Sequence, residues 1–160
     1  MKVEAASPSD RSALLAVAAR TELFTVDEAE ALLGGVLDSL AAERMPAGSV
    51  ALACRLTSNS QPCGWTYLAP DDHAAGVWNL WWLGVEPAAQ GTGAATALLR
   101  SAEAHAREHG ARLMIIETSS LDSQARARRF YARERYSAVG QVPDFYGTGD
   151  DKIIFFRRLT

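Results

Sequence analysis

The segment Gln90-Gly-Thr-Gly-Ala-Ala95 constrains this chain more than any other. It follows an apolar run, Val77 to Val85, that reads as a core strand carrying Trp78, Trp81 and Trp82. It also opens a helical pattern that reaches His109 and is closed by Gly110 at the C′ position. The first backbone amides of a helix have no intrahelical acceptor and lie at the positive end of its dipole. A concave set of such amides suits a pyrophosphate. Gly91, Gly93, Ala94 and Ala95 would let a ligand touch the backbone without side-chain interference. Taken alone, the segment is equally an ordinary capped turn with no ligand. Two familiar phosphate loops fit it poorly. A P-loop needs GxxxxGK[ST], and no lysine stands here. A dinucleotide fingerprint would use Gly91, Gly93 and the acidic Glu117, but Thr96 holds the third glycine position and Glu86 to Ala89 separate strand from turn.

Upstream, Leu14, Leu15, Ala18 and Ala19 recur at helical spacing, which predicts a helix over 9–24. Thr25-Val-Asp-Glu28 has the form of a capping box and starts a second helix, whose apolar stripe is Ala29, Leu32, Leu33, Val36, Leu37 and Leu40. The period then changes. Residues 49–56 and 64–69 read as an antiparallel hairpin around the turn-rich segment 57–62, and 70–76 is a second turn leading into the tryptophan strand. Beyond the glycine segment come a short strand at 113–116, a helix over 123–135, and a last strand pair, 138–142 with 152–159. This order predicts one α+β (mixed α/β) domain over 1–160, with a central mixed, mostly antiparallel sheet flanked by helices on both faces.

Composition narrows the function classes. With 160 residues, 48% hydrophobic and 22% charged, the chain suits one domain with a real core and not general disorder. A net charge of −3 gives no global attraction to nucleic acid or to an anionic membrane. Only Cys54 and Cys63 are present, without CxxC spacing, so neither a zinc site nor a disulfide framework is indicated and a reducing, cytoplasmic setting is expected. The apolar run 13–19 lacks a basic flank and reads as helix, and no segment approaches the ~20 apolar residues of a membrane span. His105-Ala-Arg-Glu-His109 matches the HxxEH pattern of a zinc protease, but no third-ligand motif follows, so no metal is expected and Glu103 with Arg107 reads as an exposed ion pair. Residues 144–151 lack EF-hand spacing, so calcium is not expected there either.

Three further matches act together. Gln90, Gly93 and Ala95 fit (Arg/Gln)-x-x-Gly-x-(Gly/Ala) in register, after a strand ending Leu83-Gly-Val85. Gln124-x-x-Ala127-x-x-x-Tyr131 is similar to Asn-x-x-Ala-x-x-x-Tyr, and the order of elements runs parallel along essentially the whole chain. On these residues the chain resembles the GNAT superfamily of acetyl-CoA-dependent N-acetyltransferases. Glu117-Thr-Ser-Ser120, Arg128-x-Phe130-Tyr131 and Asp144-Phe-Tyr-x-x-Gly-Asp-Asp151 are similar to a narrower group within it.

The resemblance implies the GNAT acyl-CoA N-acyltransferase fold, and acetyl-CoA as co-substrate with no metal. Backbone contacts to the donor would come from Leu83 and Val85 and from Gln90, Gly91, Thr92, Gly93, Ala94 and Ala95, with Gln124, Ala127 and Arg128 beside them. The other arginines at 126, 129, 133 and 135 could steer its phosphates, bind nucleic acid, or form a solvated face. Tyr131 stands where the family has the proton donor to the departing thiolate. An alkyl ammonium of pKa ~10.4 is less than ~0.1% deprotonated at pH 7, so a base is needed. Asn79 stands where many relatives have a glutamate, which leaves Glu117 first and Asp144 second as substitutes. Asn79, Trp81, Asp144 and Tyr146 are the expected acceptor contacts, and strand alternation puts Asn79 with Trp81 on one face and Trp82 on the other. The implied reaction is direct attack, in a ternary complex, by a primary amine of a small molecule or peptide. The alternative is a coenzyme A-binding sensor or subunit without catalysis, motivated by Asn79 and by Arg135, which replaces the glycine usual after the helix tyrosine. Neither nucleic acid nor membrane is an expected partner, and a homodimer is left open.

Overall fold

The structure, a computed structural model, describes residues 1–58 and 60–160; the expected hairpin turn at 57–62 includes Asn59, which lies outside the described residues. The elements are β1 (Lys2–Ala5), α1 (Arg11–Arg20), α2 (Val26–Ala41), β2 (Val50–Arg55), β3 (Gly64–Pro70), β4 (Val77–Val85), α3 (Ala94–Glu108), β5 (Leu113–Ser119), α4 (Ala125–Arg133), β6 (Ser137–Gly147) and β7 (Asp150–Arg158). The strands form one sheet in the order β1-β2-β3-β4-β5-β7-β6. Of the neighbouring pairs, β4–β5 is parallel and the rest antiparallel. The first strand was not expected. It is four residues long, alternates with charged Lys2 and Glu4, and is held at the sheet edge by pairing Lys2↔Arg55 to Ala5↔Leu52. No helix among the described residues is long and apolar enough to cross a membrane.

Two apolar layers hold the helices to the sheet. On one face, Leu98, Leu99 and Ala102 of α3 and Tyr131 of α4 pack on Leu80, Met114, Ile116 and Phe155. On the other, Leu14 and Val17 of α1 and Leu33 and Leu37 of α2 pack on Trp65 and Trp82. Burying each such Leu side chain contributes about 1.5–3 kcal/mol. The capping box forms as expected: Glu28 N–H donates to Thr25 Oγ1 at 3.2 Å, and Thr25 N–H to Glu28 Oε2 at 2.8 Å. Leu32 departs from its stripe and is exposed.

Glu103 is a correction. It is 1% exposed, and its carboxylate accepts from Arg100 and Arg157 and from the Tyr136 hydroxyl at 2.9, 3.0 and 3.0 Å, with Arg107 at 3.6 Å. Arg157 and Tyr136 arrive from distant sequence, so the i,i+4 spacing to Arg107 revealed only the weakest member of the cluster.

Two irregularities in β4 shape the site. Tyr67 pairs with Trp82 and Leu68 with Leu80, so Trp81 is an extra, bulged residue, and it is 56% exposed. The bulge reverses alternation. Trp78 and Leu80 face α3, Leu83 and Val85 do so again beyond the bulge, and Trp82 faces α1 and α2. Asn79 and Trp82 therefore share a face, contrary to the alternation rule applied to an unbroken strand. The second irregularity is a wedge. β4 pairs with β5 only from Val77↔Leu113 to Leu80↔Ile116, although β4 continues to Val85 and β5 to Ser119.

Candidate active site

The glycine segment lies between β4 and α3 at the mouth of that wedge. Gly91 and Gly93 adopt φ of +80° and +91°, the left-handed region that other residues enter at a cost. A Cβ built at either meets nothing within 4 Å, so these glycines border open space and not packed neighbours. Gly93 is the N-cap of α3, whose first-turn amides point the same way. Gln90 spans the gap: its Nε2 donates to Val85 O at 3.2 Å and its Oε1 accepts from Arg126.

A cleft of about 1000 Å³ runs from this turn along α4. It brings together Leu83, Val85, Gln90, Gly91, Gly93, Ala94 and Ala95 with Gln124, Ala127 and Tyr131. Two expected members turn away. Thr92 donates its hydroxyl to Ala89 O at 2.6 Å, and Arg128 donates to Ser119 O and Leu121 O at 2.6 and 2.8 Å, tying α4 to the end of β5. Arg126, Arg129 and Arg133 line the cleft instead, one face of α4 at i, i+3 and i+7, which the helical period alone could have singled out. Thr21, Glu22 and Leu23, from the turn after α1, form part of the wall and carried no signal in the sequence. Arg135 has φ +68° just past α4, the C′ conformation that glycine adopts without strain.

Tyr131 is 6% exposed and packs on Phe155 and Tyr136 at ring separations of 5.8 and 6.2 Å. Burial pushes its phenol above the ordinary value. At neutral pH the hydroxyl holds its proton, as an ordinary phenol also does. Phe155 is in register with Ile116, the last β5 residue paired with β4. Glu117 follows Ile116 and points to the opposite face. Tyr131 and Glu117 thus flank the apex of the wedge from the two sides of the sheet.

On the Glu117 side, Lys152 Nζ lies 2.8 Å from Glu117 Oε2 and 3.5 Å from the centre of the Phe145 ring. Burial raises the Tyr146 phenol above its ordinary value, and the Glu117 and Asp150 carboxylates add to the shift. Asp150 in turn accepts from the Ser119 hydroxyl. The remaining expected residues are placed elsewhere. Asp144, with φ +52°, uses its carboxylate to accept from Gly149 N–H at 2.7 Å, which closes the β6–β7 turn. Asn79 is buried and donates to Asp71 Oδ2 at 2.9 Å; that bond and one from His73 N–H hold the Asp71 carboxyl below its usual range. His105 and His109 stack at 4.2 Å, and no group of three or more metal-ligating side chains stands together among the described residues.

The sequence matches the Acetyltransferase (GNAT) family over residues 19–135. The chain belongs to that family, and it is an acetyltransferase by class. No curated protein sequence matches it significantly. Among solved structures, a protein of Desulfovibrio desulfuricans assigned to the GNAT acetyltransferases is 29% identical and superposes with a TM-score of 0.91 over 99% of both chains. An aminoglycoside 6′-N-acetyltransferase complexed with coenzyme A shares the fold at 17% identity and a TM-score of 0.79, covering 100% of this chain and 98% of that one. The Escherichia coli ribosomal-protein-S18-alanine N-acetyltransferase does so at 15% identity and 0.75, covering 99% and 94%.

Proposed function

We propose that the protein transfers the acetyl group of acetyl-CoA to a primary amine of a small molecule or peptide, by direct attack in a ternary complex. The single observation that carries this reading is the wedge between β4 and β5, with the glycine turn at its mouth and Tyr131 and Glu117 on opposite faces of its apex. The residues present suit such a donor. Open space at Gly91 and Gly93, the first amides of α3, and three arginines lining the cleft of a net-acidic chain all favour a ligand rich in phosphate. Leu83 and Val85 sit where β4 has lost its β5 partner, beside an edge that an extended ligand could pair with, although the Val85 carbonyl already accepts from Gln90 Nε2. Bound there, acetyl-CoA supplies a thioester whose thiol is the leaving group.

The chain's own residues then divide the proton work. Tyr131 holds the proton that the leaving sulfur requires. Glu117 is the base for the acceptor ammonium, with Lys152 paired to one of its oxygens. Trp81, Phe145 and Tyr146, all exposed, offer an aromatic surface for the acceptor beside it. The second reading, a coenzyme A-binding protein without catalysis, is favoured by Asn79 being committed to Asp71 and by the Lys152 ammonium already seated on Glu117. Titrating the protein with acetyl-CoA in a thermal-shift assay, then following thiol release over a panel of amines, separates the two. Stabilisation with amine-dependent thiol release supports transfer. Stabilisation without release on any amine supports the sensor, and no stabilisation removes both.

A further inference from the structure

Of the 16 basic residues, only Lys2 and Lys152 are lysines. The two stand in opposite environments. Lys2 lies on the edge strand with its side chain 57% exposed, whereas the Lys152 side chain is 13% exposed and its nitrogen is held between the Glu117 carboxylate at 2.8 Å and the Phe145 ring face at 3.5 Å. A carboxylate and an aromatic face together are what a primary alkyl ammonium seeks. That seat adjoins the wedge, because Glu117 is the first β5 residue beyond the last β4–β5 pair, and Lys152 opposes Ser119 two residues further on. The proposed acceptor is also a primary amine, so the protein's own side chain fills the place of its substrate's reacting group. Apart from Lys2–Glu4, the other ion pairs among the described residues use arginine, so a lysine here is the exception.

We propose that Lys152 is an internal acceptor and that the protein acetylates it; this rests on the acetyl-CoA reading above. Glu117 removes one proton from the Lys152 ammonium and passes it to solvent. The freed Nζ lone pair attacks the thioester carbonyl carbon, the C–N bond forms and the C–S bond breaks. The sulfur takes its proton from the Tyr131 hydroxyl, which is restored by the second proton lost from nitrogen. The product is a neutral amide at Lys152 and free thiol. With its charge gone, residue 152 no longer neutralises Glu117, and the carboxylate and the Phe145 face become free to receive an external ammonium.

The test incubates the full chain with acetyl-CoA and maps modified residues by peptide mass spectrometry over time. Lys2 is the internal control, since uncatalysed acylation favours the exposed amine. Lys152 is expected to gain one acetyl group at least about tenfold faster than Lys2. Glu117→Gln is expected to slow Lys152 and leave Lys2 unchanged, and Lys152→Arg, which keeps the ion pair and therefore the fold, to remove the added mass. Labelling of Lys2 at an equal or greater rate, or labelling of Lys152 indifferent to Glu117→Gln, overturns the inference. Binding of acetyl-CoA by calorimetry and acetylation of external amines with Lys152 unmodified sinks it and leaves the transferase reading standing. An absence of acetyl-CoA binding overturns both.

Discussion

The two sides of the wedge are built from different material. On the α3 side the candidate contacts are backbone: two glycines at positive φ, the first amides of a helix, and the unpaired end of β4, all anchored on Leu98 and Leu99, which are fully buried. On the β6–β7 side they are side chains on an edge strand that is exposed along nearly its whole length, with Phe145 and Tyr146 about half accessible. Backbone geometry of this kind is shared by any sequence that keeps the turn, whereas exposed side chains change at little cost to folding. The contrast explains why a family resemblance speaks for the donor and says little of the acceptor.

The largest effect that would test this contrast is on the rigid side. Glu103→Ala removes the carboxylate acceptor of the buried Tyr136 hydroxyl and leaves Arg100 and Arg157 only their contacts to Glu134, and urea unfolding is expected to find about 2–3 kcal/mol of lost stability. A loss under 1 kcal/mol would mean that the α3 wall is not held as described. Next, Gly93→Val forces a β-branched residue into φ +91° at the N-cap, which costs about 1–3 kcal/mol and distorts the amides. Calorimetry should show acetyl-CoA affinity reduced about a hundredfold with the circular dichroism spectrum unchanged; retained affinity would show that the turn does not hold the donor.

Tyr131→Phe removes one hydroxyl from a packed site, and kcat is expected to fall about a hundredfold while acetyl-CoA affinity stays within about twofold. An unchanged kcat takes Tyr131 out of the proton path. The smallest effect belongs to the exposed side. Tyr146→Ala should raise KM for the amine about threefold to tenfold, with stability within about 0.5 kcal/mol and donor KM unchanged. If donor KM rose instead, the two sides would not be separate.

Much of the donor side was legible because its signals are local. The glycines before α3 and the Gln124-x-x-Ala127-x-x-x-Tyr131 face each depend on residues within two helical turns, and the structure places them in the expected elements. The errors fall where a residue's role depends on a distant partner. Arg128 shares a helix face with Tyr131 by spacing, yet the carbonyls at the end of β5 claim it. Asp144 had the right chemistry for a base, but the turn to Gly149 uses its carboxylate. The bulge at Trp81 is a mismatch in pairing with Tyr67 and Leu68, and no feature of β4 alone announces it.

By itself the sequence determined the elements other than β1 and, through the family it resembles, the class of donor to expect, because hydrophobic period, capping and short motifs are properties of short stretches of chain. Only the tertiary structure decided that β4 and β5 part after Leu80 and Ile116, that Tyr131 and Glu117 meet that gap from opposite faces, and that Lys152 sits on Glu117. Those are contacts between segments 24 to 36 residues apart, and they come into being only when burial of two apolar layers fixes the register of the sheet.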